Sequence, residues 1–212
     1  MNDKNTARTT KARPRARFVR ETADVRRQAL IEATARCLAE KGVGGTSVRA
    51  ICAQAGVSSG LLTHYFDGVD ALVLATYADV GAKVSAAIDS AVEAAGADPR
   101  DRLRACLQAN FHAPILDPDL LATWIAFWSL VKTDPKIAAI HAEVYGGTRA
   151  QLETMLHAAA PAMVPAQARI AAISLTALVD GLWLELCLDP TTFSAGEAQA
   201  MVEAAMLRAL EP

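Results

Sequence analysis

The sequence predicts an all-α protein of about nine helices. Three observations carry this. Ala and Leu dominate, and apolar residues recur at helical spacing. Gly and Pro fall mostly between the periodic segments, where they end helices rather than interrupt them. Nothing alternates apolar and polar over a strand's length, and no internal repeat is visible. With 212 residues and 52% hydrophobic content, the chain can bury a real core and is not disordered over most of its length.

Residues 1–22 form a basic arm carrying Lys4, Arg8, Lys11, Arg13, Arg15, Arg17 and Arg20, with almost no apolar content. It is expected to be disordered on its own. It either grips a DNA backbone or minor groove, or is a solvated tail. The first helix is expected over 24–40, with Leu30, Ile31, Thr34, Cys37 and Leu38 as its buried stripe. Gly42, Gly44 and Gly45 end it. Thr46 is read as the cap of a second helix burying Val48, Ile51, Cys52 and Ala55. Gly56 supplies a left-handed turn, and Ser58 caps a third helix that runs to Tyr65 or Phe66. Further on, Asp98-Pro99, Asp117-Pro118 and Asp134-Pro135 each place a capping Asp before a first-turn Pro. Ser194 with Glu197 makes a capping box. Helices are therefore expected near 70–95, 99–113, 118–132, 135–158, 165–188 and 195–210. The division is a 1–22 arm, a 23–69 unit of three short helices with a helix-turn-helix layout at about 46–66, and a 70–212 unit of six longer helices.

The net charge of −2 hides an asymmetry: residues 1–70 carry +5 and the rest −7. A basic end on an acidic body points to a polyanionic partner at one end only. Cys37, Cys52, Cys106 and Cys187 are widely spaced in apolar helical surroundings, which suits reduced thiols of a cytoplasmic protein. No signal peptide is read, and no segment is expected to be long and clean enough to span a membrane. His112, His141 and His157 lack metal-ligand spacing and are read as surface or satisfied side chains. No metal, cofactor or catalytic motif is found, so nothing supports an enzyme.

The stretch TSVRAICAQAGVSSGLLTHYF, Thr46 to Phe66, has the layout of a helix-turn-helix. Its second helix opens on Ser58 and Ser59, whose hydroxyls and free N–H groups suit phosphate. Gly60 lets backbone approach DNA. Thr63 and His64 are the expected groove readers, Tyr65 a phosphate donor, and Leu62 and Phe66 core. Thr46 and Arg49 complete the DNA-facing set, with Gln54 a further candidate; the plain alternative is a polar helix surface. In the second part, Trp124 and Trp128 lie one helical turn apart with Phe127 beside them, and Trp183 follows Asp180. These five residues are either an aromatic cage for a quaternary ammonium, with Asp180 (or Glu185) offsetting its charge, or ordinary core.

The signature at 46–66 closely resembles that of TetR-family transcriptional regulators. The segments SSGLLTHYF, WIAFW (124–128) and ALVDGLWLE (177–185) resemble the BetI-type, choline-responsive repressors of that family. The resemblance implies a homodimer joined through its last two helices, a near-palindromic double-stranded DNA operator, and a small-molecule effector such as choline. It also implies that a Lys opens the fourth helix and touches phosphate; here Val69 stands there. Two other readings stay open: a sensor of another hydrophobic or cationic ligand controlling efflux, and a DNA-binding protein without effector.

Overall fold

The computed structural model describes residues 23–211, so the basic arm lies outside the described residues. Among them nine α-helices follow one another: α1 (Ala23–Gly45), α2 (Val48–Ala55), α3 (Ser59–Tyr65), α4 (Gly68–Ala94), α5 (Pro99–Gln108), α6 (Pro118–Leu130), α7 (Pro135–Ala159), α8 (Pro165–Leu188) and α9 (Ala195–Ala209). The acidic caps act as read. Asp98, Asp117 and Asp134 each accept two backbone N–H groups of the helix that their Pro opens. Ser194 Oγ accepts from the Glu197 N–H, and the Glu197 carboxylate accepts from the Ser194 N–H, at 3.2 and 2.7 Å.

Four expectations are corrected. The helical assignment of α1 continues to Gly45, but Gly42 adopts a left-handed φ of 61° and breaks it, so the run ends close to where the glycines predict. Thr46 does not cap α2: its hydroxyl donates to the Gly42 carbonyl at 2.8 Å, and Ser47 takes the cap by accepting from the Ala50 N–H. The fifth helix stops at Gln108 rather than 113; a 3₁₀ turn (Ala109–Phe111) follows, drives Phe111 into the core and leads to Pro114, which has no N–H to continue a helix. Finally, α4 and α8 are long and apolar enough to cross a membrane by length and composition alone. Here both are packed against other helices, α4 on α1, α5 and α7, and α8 on α7 and α9.

The buried apolar residues form two clusters. The smaller holds Leu30, Ile31 and Cys37 of α1, Ile51 and Cys52 of α2, Leu62 and Phe66 at α3, and Leu72 of α4. The larger runs from Val73, Tyr77 and Val80 of α4 through α5 to α9. Helix α4 thus enters both: Leu72 belongs to one cluster and its neighbour Val73 to the other, while Val69 packs on both. Polar links cross the same junction. Thr123 Oγ1 of α6 donates to the Ala35 carbonyl of α1 at 3.3 Å, and Gln28 Nε2 of α1 donates to Asp79 of α4 at 3.1 Å.

The α2–α3 turn depends on Gly56, whose φ is 66° and whose N–H closes α2. A Cβ there would meet nothing within 4 Å, so Gly56→Ala carries only the backbone cost, about 1 kcal/mol. Thermal unfolding should fall by roughly 2–4 °C; an unchanged midpoint would show that the turn does not need the left-handed residue.

Candidate DNA interface and effector cavity

Helix α3 presents its polar face to solvent. Ser59, Gly60, Thr63 and His64 are exposed and Tyr65 is half-buried, while Leu62 is fully buried in the small core and Phe66 nearly so. Ser58 caps the helix, accepting from the Leu61 N–H at 3.4 Å. Thr63 Oγ1 donates back to the Ser59 and Gly60 carbonyls at 3.3 and 3.2 Å, which leaves its oxygen lone pairs free to accept. The His64 and Tyr65 rings meet edge to face at 5.0 Å. Arg49 is exposed on α2. Thr46 differs from the rest of the expected set, because it is half-buried and its hydroxyl hydrogen is committed to Gly42.

The aromatic residues of the larger core divide between two tasks. Phe127 is fully buried and stacks on Tyr77 at 4.2 Å; both meet Trp124 edge to face. Trp128 is half-buried beside Tyr145. Neither Phe127 nor Trp128 lines the small pocket beside them. Trp124, Trp183 and Asp180 do: with Tyr145, Asn110 and Thr176 they wall a small, partly open pocket of about 80 Å³ between α4, α6, α7 and α8. Among the described residues its lining contains one carboxylate, Asp180, and no Lys or Arg. Trp183 is fixed by its buried indole N–H, which donates to the Ile115 carbonyl at 2.9 Å. Burial pushes the Asp180 carboxyl up to about 6, while the Tyr145 hydroxyl beside it pulls the other way. Burial is also the main force raising Tyr145, so the phenol stays neutral.

Tyr145, Tyr77 and His141 were not singled out as site residues from the sequence. Tyr145 and His141 lie one turn apart on α7 with ring centroids at 4.5 Å, and His141 Nδ1 shares a hydrogen bond with the Tyr77 hydroxyl at 3.0 Å. Burial and the nearby Arg149 charge hold His141 below its ordinary pKa, which makes it a neutral partner. The i, i+4 spacing of His141 and Tyr145 is the one sequence signal that was there to read.

Two further surfaces border this centre. Ile115 and Val84 also line a cleft of about 340 Å³ on the other side, floored by Ala35 and Ala39 of α1 and flanked by Arg36, Lys83 and Asp119. The outer faces of α8 and α9 leave Ile170, Ile173, Leu188, Met201 and Leu207 exposed, whereas Leu175, Leu186, Val202 and Met206 on their inner faces are core.

Residues 30–76 match the bacterial regulatory proteins of the tetR family, and residues 99–211 match the C-terminal domain of BetI-type transcriptional repressors. The chain belongs to the BetI-type transcriptional repressors of the TetR family. It is 37% identical over 175 residues to the HTH-type transcriptional regulator BetI of Burkholderia thailandensis, covering 82% of this chain and 88% of that protein. A transcriptional regulator structure from Pseudomonas aeruginosa PAO1 superimposes with a TM-score of 0.82 at 43% identity, covering 89% of this chain and 92% of that one. A Saccharomonospora viridis regulator crystallised with choline shares the fold at 20% identity and a TM-score of 0.71, over 85% and 95% of the two chains. The repressor thus binds DNA through its helix-turn-helix, and Val69, where the resemblance expects a lysine, is half-buried between the two cores.

A Cβ on Gly60 of this repressor would meet nothing within 4 Å, and its φ is not left-handed. Gly60→Ala should therefore stabilise α3 by roughly 0.5 kcal/mol while weakening DNA binding. Melting and fluorescence-anisotropy titrations would check this; unchanged DNA affinity would remove Gly60 from the interface.

Proposed function

We propose that the protein is a homodimeric repressor released from its operator by a compact quaternary ammonium such as choline, bound between Trp124, Tyr145 and Trp183 with Asp180 as its counter-ion. The observation that carries this is a small, partly open pocket with three aromatic walls, one carboxylate and no cationic residue in its lining. Aromatic faces attract an alkylated ammonium, and a partly desolvated carboxylate supplies the charge that such a cation lacks a hydrogen bond to replace. The choline complex of the S. viridis regulator supports the reading, because the same fold holds that ligand there. A drug-sized effector fits less well, since such ligands occupy about 300 Å³ or more.

The cavity as it stands is also small for choline. A benzene-sized ligand occupies a cavity of about 150 Å³, against about 80 Å³ here. Binding must therefore displace a wall, and this gives the ligand a preference for one conformation, as any release mechanism requires. Ile115 and Val84 can yield toward the cleft behind them, which Ala35 and Ala39 of α1 also line. Helix α4 then carries the change to the recognition helices. The DNA-facing set is Arg49, Ser58, Ser59, Gly60, Thr63, His64 and Tyr65. Two copies, joined through the exposed apolar faces of α8 and α9, read two half-sites of a near-palindrome in the cytoplasm.

The test is choline binding followed by Trp fluorescence and melting, with Asp180→Asn as the control. The cation needs the ionised carboxylate, so affinity should hold above pH 6 and fall up to tenfold per unit below it. The sign for stability is opposite. A carboxyl raised above its unfolded value costs stability once ionised, so this contribution improves as pH drops through 6. Asp180→Asn should accordingly stabilise the free protein by roughly 1–3 kcal/mol at pH 7 and abolish the choline response. An equal choline-induced shift in the variant would sink the assignment.

A further inference from the structure

Helix α3 carries no Lys or Arg, and the first residues after it add two negative charges, Asp67 and Asp70. A recognition helix approaching DNA in that state gains nothing from phosphate neutralisation along its own length, and its C-terminal end meets repulsion. The structure supplies a cation from another element. The guanidinium of Arg27, in the first turns of α1, lies over the Phe66 ring at 4.9 Å. Phe66 is the residue that ends α3; its N–H donates to the Leu62 carbonyl and its side chain is held in the small core. Arg27 is exposed, and among the described residues no carboxylate lies within ion-pairing distance of it.

We infer that Arg27 is the phosphate-gripping residue of the recognition helix, docked against its last residue rather than carried on it. A cation–π contact uses the charge of the guanidinium and consumes none of its five N–H donors as hydrogen bonds, so they remain to fork onto phosphate oxygens. The ring contact also limits the rotamers available to a long side chain, so less entropy is lost when the contact to DNA forms. Arg27 therefore adds affinity that does not depend on base sequence, and it sets how far the C-terminal end of α3 stands from the backbone.

The test uses the full chain and a duplex selected from a random pool by the wild-type protein, with binding read by fluorescence anisotropy between 50 and 200 mM salt. Arg27→Ala should weaken binding about tenfold and lower the slope of log affinity against log salt by about one per bound protomer. The same factor should appear on a scrambled duplex, and Arg27→Lys should keep the wild-type slope. Arg27 is exposed, so the variant should fold, and a melting curve within about 2 °C of wild type checks it. An unchanged slope in Arg27→Ala, with or without weaker binding, overturns the assignment, as does a loss confined to the selected duplex.

Discussion

Helix α4 is buried in two cores at once. Leu72 closes the small cluster under the recognition helix, and Val73, Tyr77 and Val80 open the large one beneath the aromatic residues. Neighbouring residues on one helix cannot move independently, so a change in how Tyr77 or Val80 packs is passed to Leu72 without any special path between them. The face of α4 that enters both cores could not be polar. This explains why it is apolar enough to pass for a membrane segment while packed against α1, α5 and α7.

The chemistry of the cavity follows from the same packing. Tyr77 is fully buried, which fixes its hydroxyl on His141, and His141 in turn packs on Tyr145 beside Asp180. A lone carboxyl here is costly when ionised, and a cation would remove that cost. Burial thus favours the protonated carboxyl below about pH 6 and leaves a partly desolvated negative charge above it. The DNA end shows the complementary economy. Its recognition helix is small and uncharged, and its cations stand on neighbouring helices.

Much of this was legible in the sequence where the signal is local. The Asp-Pro pairs and Ser194 with Glu197 mark helix starts because capping is chemistry between near neighbours. Gly56 was readable because only glycine adopts its backbone angle without strain. Thr46 and Ser47 both suit a cap, and only the path of the chain after Gly42 decides between them. The cavity was half-readable. Trp124 and Trp128 share a helical face, but four residues of rise separate them by about 6 Å, so only Trp124 reaches the space. Phe127, one residue before Trp128, is turned into the core by the helical twist. Tyr145 depends on which face of α7 meets α8, a tertiary fact that periodicity does not contain.

On the proposed reading, the aromatic pocket and the DNA-binding end report one equilibrium. Linkage makes this measurable without assuming a path: the factor by which choline weakens operator binding must equal the factor by which operator weakens choline binding. Anisotropy of a labelled operator at rising choline gives the first factor, and calorimetric titration of choline into free and operator-saturated protein gives the second. Two equal factors well above one are predicted. A choline affinity that is the same with and without DNA would contradict the account.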